Sequence, residues 1–174
     1  MSVEEALDSH HALFLRALSE PSENSLDVLV QEARFGAAKE IAVPGGAQIT
    51  GRPIEADSLC ALYRISFPSY VAYQVIDERF ALPDPSEEFT GKNFRRYSSS
   101  PFLELVRSRT AASDEFPGPG PLVHFCLVCE LHILEIISAS APLVSLCSAQ
   151  DWSANNSLER TTGLRPVAAQ LMIR

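Results

Sequence analysis

The sequence predicts an α+β domain: an N-terminal helical hairpin, then a mainly antiparallel sheet of about four to six strands with one helix packed across it. Three observations carry this. Apolar residues recur at helical spacing through the first 37 positions, period-two alternation sets in near Leu59, and Ser100-Pro101 opens a short amphipathic run.

Ser2 with Glu5 forms a capping-box pattern, and Val3, Leu7, His10, Phe14 and Ala17 follow down one face, predicting a first helix to about Leu18. Pro21 and the run Ser22 to Ser25 end it and offer caps for a second, whose stripe is Leu26, Leu29, Val30, Ala33 and Ala37. Ile41, Val43, Ala47 and Ile49 flank the turn Pro44-Gly45-Gly46 as short strands. Leu59, Ala61, Tyr63, Ile65 and Phe67 alternate as a strand, and the run Tyr70 to Ile76 reads as its hairpin partner across Pro68-Ser69. From Leu82 to Ser100 the composition turns polar and predicts an irregular excursion. Ser100 caps, and Pro101 begins, a helix with Phe102, Leu103, Leu105 and Val106 on its apolar side, which should pack across the sheet. Pro117 to Pro121 is a connector. Leu122 to Cys129 and His132 to Ser138 then read as a hairpin of central strands, because both faces are apolar.

At 174 residues and 46% hydrophobic, the chain supports one core, so a single α+β domain is expected over 1–150, with 151–174 a loosely ordered tail. The acidic start lacks the basic and apolar regions of a secretory signal, and Leu131 to Cys147 is interrupted by His132, Glu135 and Pro142. A cytoplasmic location follows as the expectation, with the four cysteines as free thiols. A formal charge of −8 disfavours nucleic acid and anionic membranes and favours basic partners.

No Gly-x-Gly-x-x-Gly, P-loop, His-Glu-x-x-His or Gly-x-Ser-x-Gly pattern is present. His124, Cys126, Cys129 and His132 are zinc-ligand types in nine positions, but along a strand Cys126 and Cys129 point to opposite faces. Cys126, Cys129 and His132 therefore remain only an alternative metal set, and no metal or cofactor is expected. Glu135 lies inside an apolar strand, where its carboxylate needs solvent, an arginine such as Arg64, or a role as a general acid or base with His124, Glu78 or Asp77. Lys92, Arg95, Arg96, Arg107 and Arg109, interleaved with Phe94 and Tyr97, read first as a solvated face paired with Glu87, Glu88 and Glu104.

The ordered string Phe67 to Tyr73, then Gly91-Lys92 with Phe94-Arg95, Tyr97-Ser98 with Phe102-Leu103, and Pro117-Gly118-Pro119 before His124 and His132-Ile133 resembles small bacterial α+β proteins of the immunity type. It covers about half the chain, and it implies a partner-neutralising role without assigning site residues. The expected function is a protein-interaction or inhibitor domain acting on a protein partner, in its specific form a cytoplasmic immunity protein against a basic toxin or effector. Tyr70, Tyr73, Phe94, Arg95, Arg96 and Tyr97 are the candidate contacts, since aromatics and arginine concentrate at interface centres. The alternative is a small-molecule-binding protein or enzyme with a pocket between helix and sheet lined by His124, Glu135 and Glu78.

Overall fold

The computed structural model describes residues 3–42, 44, 46, 48–112, 121–148 and 150–151. A short helix, α1 (Val3–Ser9), precedes β1 (Ala12–Ser19), β2 (Leu26–Phe35), β3 (Lys39–Ala42), β4 (Gln48–Gly51), β5 (Ile54–Glu55), β6 (Leu62–Phe67) and β7 (Tyr70–Asp77). A 3-10 turn at Glu78–Phe80 leads to β8 (Glu88–Thr90), β9 (Phe94–Ser99), α2 (Pro101–Arg109), β10 (Val123–Val128), β11 (His132–Ser138) and β12 (Leu143–Leu146).

The strands form two main antiparallel sheets. The first runs β1-β2-β6-β12, with β5 on the far end of β2, and the second runs β7-β11-β10-β9-β8. β3 and β4 make a separate hairpin, with Ile41 opposite Ile49. One core lies between the main sheets: Val28, Val30, Tyr63, Ile65 and Phe67 of the first face Phe94, Phe125, Leu127, Leu134 and Ile136 of the second. Phe67 meets Phe125 edge-on across the interface, ring centroids 5.7 Å apart. The architecture is thus a sheet-on-sheet sandwich.

The α+β expectation of an N-terminal helical hairpin before one sheet of four to six strands is overturned: among the described residues two helices accompany strands in three sheets. Helix α1 stops at Ser9, and both segments read as helix beyond it are strands. In β1 the pairing register shifts between Leu15 and Ala17. That bulge breaks the period of two: Leu13, Leu15 and Leu18 reach the core side, whereas Phe14 and Ala17 of the expected helical stripe pair with Gln31 and Leu29 on the outer side. In β2, Leu26, Val28 and Val30 alternate into the core, but the outward-facing Leu29 is also buried, which fills in a false helical stripe. Short helices are marginal without tertiary support, and here pairing with both β1 and β6 decides the element.

The expected hairpin of β6 with β7 is likewise absent. β6 pairs with β2 and β12, whereas β7 pairs with β11, so Pro68-Ser69 carries the chain from one sheet to the other. The stretch 82–100 contains β8 and β9. The β10–β11 hairpin, its central position and the capped α2 stand as expected. Residues 113–120 of the connector region and 152–174 of the tail lie outside the described residues. Among the described residues no helix is long and apolar enough to cross a membrane.

Helix α1 is held by a loop distant in sequence. The Asp8 carboxylate accepts the backbone N–H groups of Asn93 and Phe94, each at 2.8 Å. The Asn93 amide donates to the carbonyls of Leu7 and His10 at 2.9 and 3.0 Å, and the Lys92 ammonium donates to His10 at 2.7 Å. These bonds satisfy carbonyls that the end of the helix leaves open. The loop needs Gly91, whose φ is +91° and whose added Cβ would sit 2.1 Å from the Phe94 carbonyl oxygen. Gly91→Ala should therefore lower stability by about 1–3 kcal/mol in denaturant titration, and an unchanged midpoint would show that the clamp is not needed.

Candidate functional site

The outward face of the second sheet carries the polar residues singled out in the sequence. Inner positions Phe125 and Leu127 are in the core, so His124 and Cys126 face outward on β10, beside Tyr97 and Arg95 on β9 and Ile137 and Glu135 on β11. Helix α2 lies over the first of these rows, with Leu103 and Val106 packed on Ile137 and Leu122. At its start the Ser100 hydroxyl accepts the Leu103 N–H at 3.2 Å and lies 2.6 Å from His124 Nδ1. The Ser100 hydroxyl thus joins the helix start to the imidazole, capping α2 and partnering Nδ1 at once.

His124 is fully buried, stacked on Tyr97 at 4.1 Å and met edge-on by Phe102 at 5.5 Å. Burial pushes its pKa down to about 4, so the ring is neutral. Its Nε2 has no hydrogen-bond partner, and Glu135 Oε1 stands 3.8 Å away. The other oxygen of Glu135 accepts from the Gln74 amide, its cross-strand neighbour on β7. Burial raises the Glu135 pKa, and the Gln74 bond opposes the shift. Arg64 is not its partner, because that side chain belongs to the first sheet and pairs with Asp27.

A shallow depression of about 280 Å3 opens beside α2, lined by Gln74, Asp84, Glu87, Pro101, Phe102, Leu105 and Glu135. Burial raises the Glu87 pKa, helped by the negative charges of Glu135 and Asp84, while Arg95 opposes. Asp84 is held low by its hydrogen bonds from Ser86. No Lys or Arg among the described residues forms an ion pair with Asp84, Glu87 or Glu135. A larger cavity of about 550 Å3 lies on the inner side of the same sheet, between α1, β9, β10 and the turn at 139–142.

The remaining sequence candidates scatter. Glu78 sits exposed on the 3-10 turn, four residues beyond Gln74, and is not part of the His124–Glu135 pair. Cys126 faces outward opposite Glu135, while Cys129 lies in the core; burial pushes both thiols up to about 12, leaving them protonated. His132 stands at the start of β11 opposite Asp77, and no group of three or more metal-ligand side chains occurs among the described residues. Tyr70 and Tyr73 pack against the core and both donate to Glu20, at 2.8 and 3.3 Å. Phe94 and Tyr97 are buried; Arg95 lies over the Phe89 ring at 4.3 Å, and Arg96 is exposed in the larger cavity.

One polar constellation has no counterpart in the sequence reading. His10 Nε2 lies 2.7 Å from the Tyr63 hydroxyl and His10 Nδ1 3.4 Å from Glu32. Glu32 also accepts from Arg34 and from the Ala61 N–H, and the Arg34 bond is the largest cause holding its pKa down at about 2. Reading β2 as a strand would have placed Glu32 on the inner row with Val28 and Val30. The acid–imidazole–hydroxyl order imitates a catalytic relay, but Tyr63 is only 4% exposed, so the relay ties the exit of α1 to the first sheet.

No protein-family model, curated protein or solved structure matches the chain.

Ser100→Ala removes both a helix cap and the partner of a buried imidazole, and should cost about 1–2 kcal/mol by chemical denaturation. His124 makes stability pH-dependent. Its folded pKa is depressed, so the unfolded chain binds the proton first, and stability is lost as pH falls from about 6.5 to about 4. The raised Glu135 pKa acts in the opposite sense: its contribution is full at low pH and is lost as pH rises through the folded value. His124→Gln should reduce the acid loss by up to about 3 kcal/mol, and an unaltered pH–stability curve would contradict a neutral buried imidazole.

Proposed function

We propose that this chain is a protein-interaction domain that engages a basic partner through the α2 side of its second sheet. The observation that carries the reading is the depression in which Asp84, Glu87 and Glu135 gather without a pairing Lys or Arg among the described residues, next to the half-exposed Leu105. The loop that brings Asp84 and Glu87 also displays Phe80, 75% exposed, and Leu82, 91% exposed. Carboxylates ringed by exposed apolar side chains suit a lysine or arginine set among apolar neighbours, and the overall charge of −8 favours encounter with such a surface. Neutralisation of a basic toxin or effector, as an immunity protein does, is the specific form of this role. A cytoplasmic site of action fits the four free cysteines.

A small-molecule-binding protein or enzyme at the α2–sheet junction is the second reading, favoured by the unpartnered Nε2 of His124 beside Glu135. Ser100 is spent as the cap of α2, so any chemistry there would fall to His124 and Glu135 alone. The two readings separate experimentally. The full chain, tagged and recovered from its source cells, should carry a stoichiometric basic protein whose association slows as salt rises. Replacing Asp84 and Glu87 together by Asn and Gln should slow association about tenfold at low salt, while His124→Gln leaves it unchanged. An association rate indifferent to ionic strength, or one that collapses with His124→Gln alone in a folded protein, overturns the interaction reading.

A further inference from the structure

The larger cavity lies on the opposite side of the second sheet from the acidic depression, so what it does is independent of the reading above. Its volume of about 550 Å3 falls within the range of small-molecule sites. Its walls differ in kind. Helix α1 contributes Glu4, Glu5 and Asp8; β9 contributes Phe94 and Arg96; β10 contributes Val123 and Phe125; and the turn after β11 closes the third side with Ala139 and Pro142.

Arg96 is the unusual member. Alternation along β9 sends Tyr97 and Arg95 outward and Phe94 inward, so Arg96 takes the inner face, level with Phe125 on β10. An arginine on the inner face of a sandwich is ordinarily paired or covered. Its side chain is exposed and makes no hydrogen bond or ion pair among the described residues, although α1 sets carboxylates on the same cavity. Asp8 is largely committed to the Asn93 and Phe94 N–H groups, which leaves Glu4 as the carboxylate at the cavity without such a duty. The floor between the two charges is aromatic: Phe94 and Phe125 stack with centroids 5.8 Å apart and planes inclined by 10°. A cation on one wall, an anion on the other and an apolar floor between them describe the complement of one chemical class.

We propose that this cavity binds a free α-amino acid with a large apolar side chain, its carboxylate on Arg96, its ammonium toward Glu4 and its side chain over Phe94 and Phe125. The guanidinium fork suits a carboxylate because it offers two parallel N–H donors. The clamp of Asp8 and Asn93 on the 91–94 loop holds α1 at a fixed position beside the sheet, so the acidic wall is built before the ligand arrives.

The test is calorimetric titration of the full chain with L-phenylalanine and L-leucine. Two fragments accompany them: 3-phenylpropanoate, which lacks the ammonium, and phenethylamine, which lacks the carboxylate. Saturable binding of at least one amino acid at millimolar concentration or below is expected, with both fragments bound about tenfold more weakly. Arg96→Ala should weaken amino-acid binding at least about tenfold while leaving the thermal midpoint in place, because the side chain supports no other group. Absence of saturable binding, equal affinity for 3-phenylpropanoate, or an Arg96→Ala variant that binds as well as the parent would each overturn the assignment. None of these results bears on the basic partner, which is read by co-purification.

Discussion

Phe125 is the contact on which the two halves of the sandwich depend. Its ring meets Phe67 of the facing sheet edge-on and lies parallel to Phe94 on the neighbouring strand, so one side chain joins three strands and both sheets. Fixing Phe125 inward fixes its neighbours outward, since a strand turns successive side chains to opposite faces. His124 and Cys126 are thereby committed to the far side, and cross-strand pairing commits Glu135 with them. Helix α2 then covers His124 but ends its cover near Glu135, which is how a carboxylate comes to be largely buried and still line a depression.

The chain under α2 runs from the Ser100 hydroxyl through His124 to Glu135 and Gln74, with one gap, between Nε2 and Oε1. The unpartnered Nε2 and the carboxylate each retain a demand for a hydrogen-bond partner, the carboxylate the stronger one. A single strand register thus places two depressions of different chemistry on the sheet. Its outer face presents carboxylates beside apolar side chains, and its inner edge presents Arg96 opposite Glu4.

Where local pattern and tertiary pattern agree, the fold was legible in the sequence. Ser100-Pro101 is a cap whatever surrounds it, and the two-sided apolar runs of β10 and β11 announce interior strands. Local pattern failed where the sandwich imposes its own irregularity. The bulge in β1 disrupts the alternation that would have marked a strand, and the buried outward Leu29 in β2 imitates a 3.6-residue period. Alternation identified β6 and β7 as strands but could not name their partners, because Pro68-Ser69 suits a hairpin turn and a crossing between sheets equally well. His124 and Glu135 were visible as polar residues in apolar strands. Glu78 was not separable from them without the register, and of the candidate contacts Tyr70, Tyr73 and Phe94 pack against the core. The His10–Tyr63 bond joins positions 53 apart, a relation that no local window contains.

The clamp on α1 also orders the events of folding. A helix of seven residues has little stability of its own, and the groups that hold this one, Gly91 to Phe94, are more than eighty residues further along the chain. Closing so long a loop is entropically slow and is compensated only once β9 has a sheet to join. Although α1 precedes the strands in sequence, it is therefore among the last elements to dock. Until it does, the inner edge of the second sheet, with the rings of Phe94 and Phe125, stays uncovered at the very place where α1 later forms a wall.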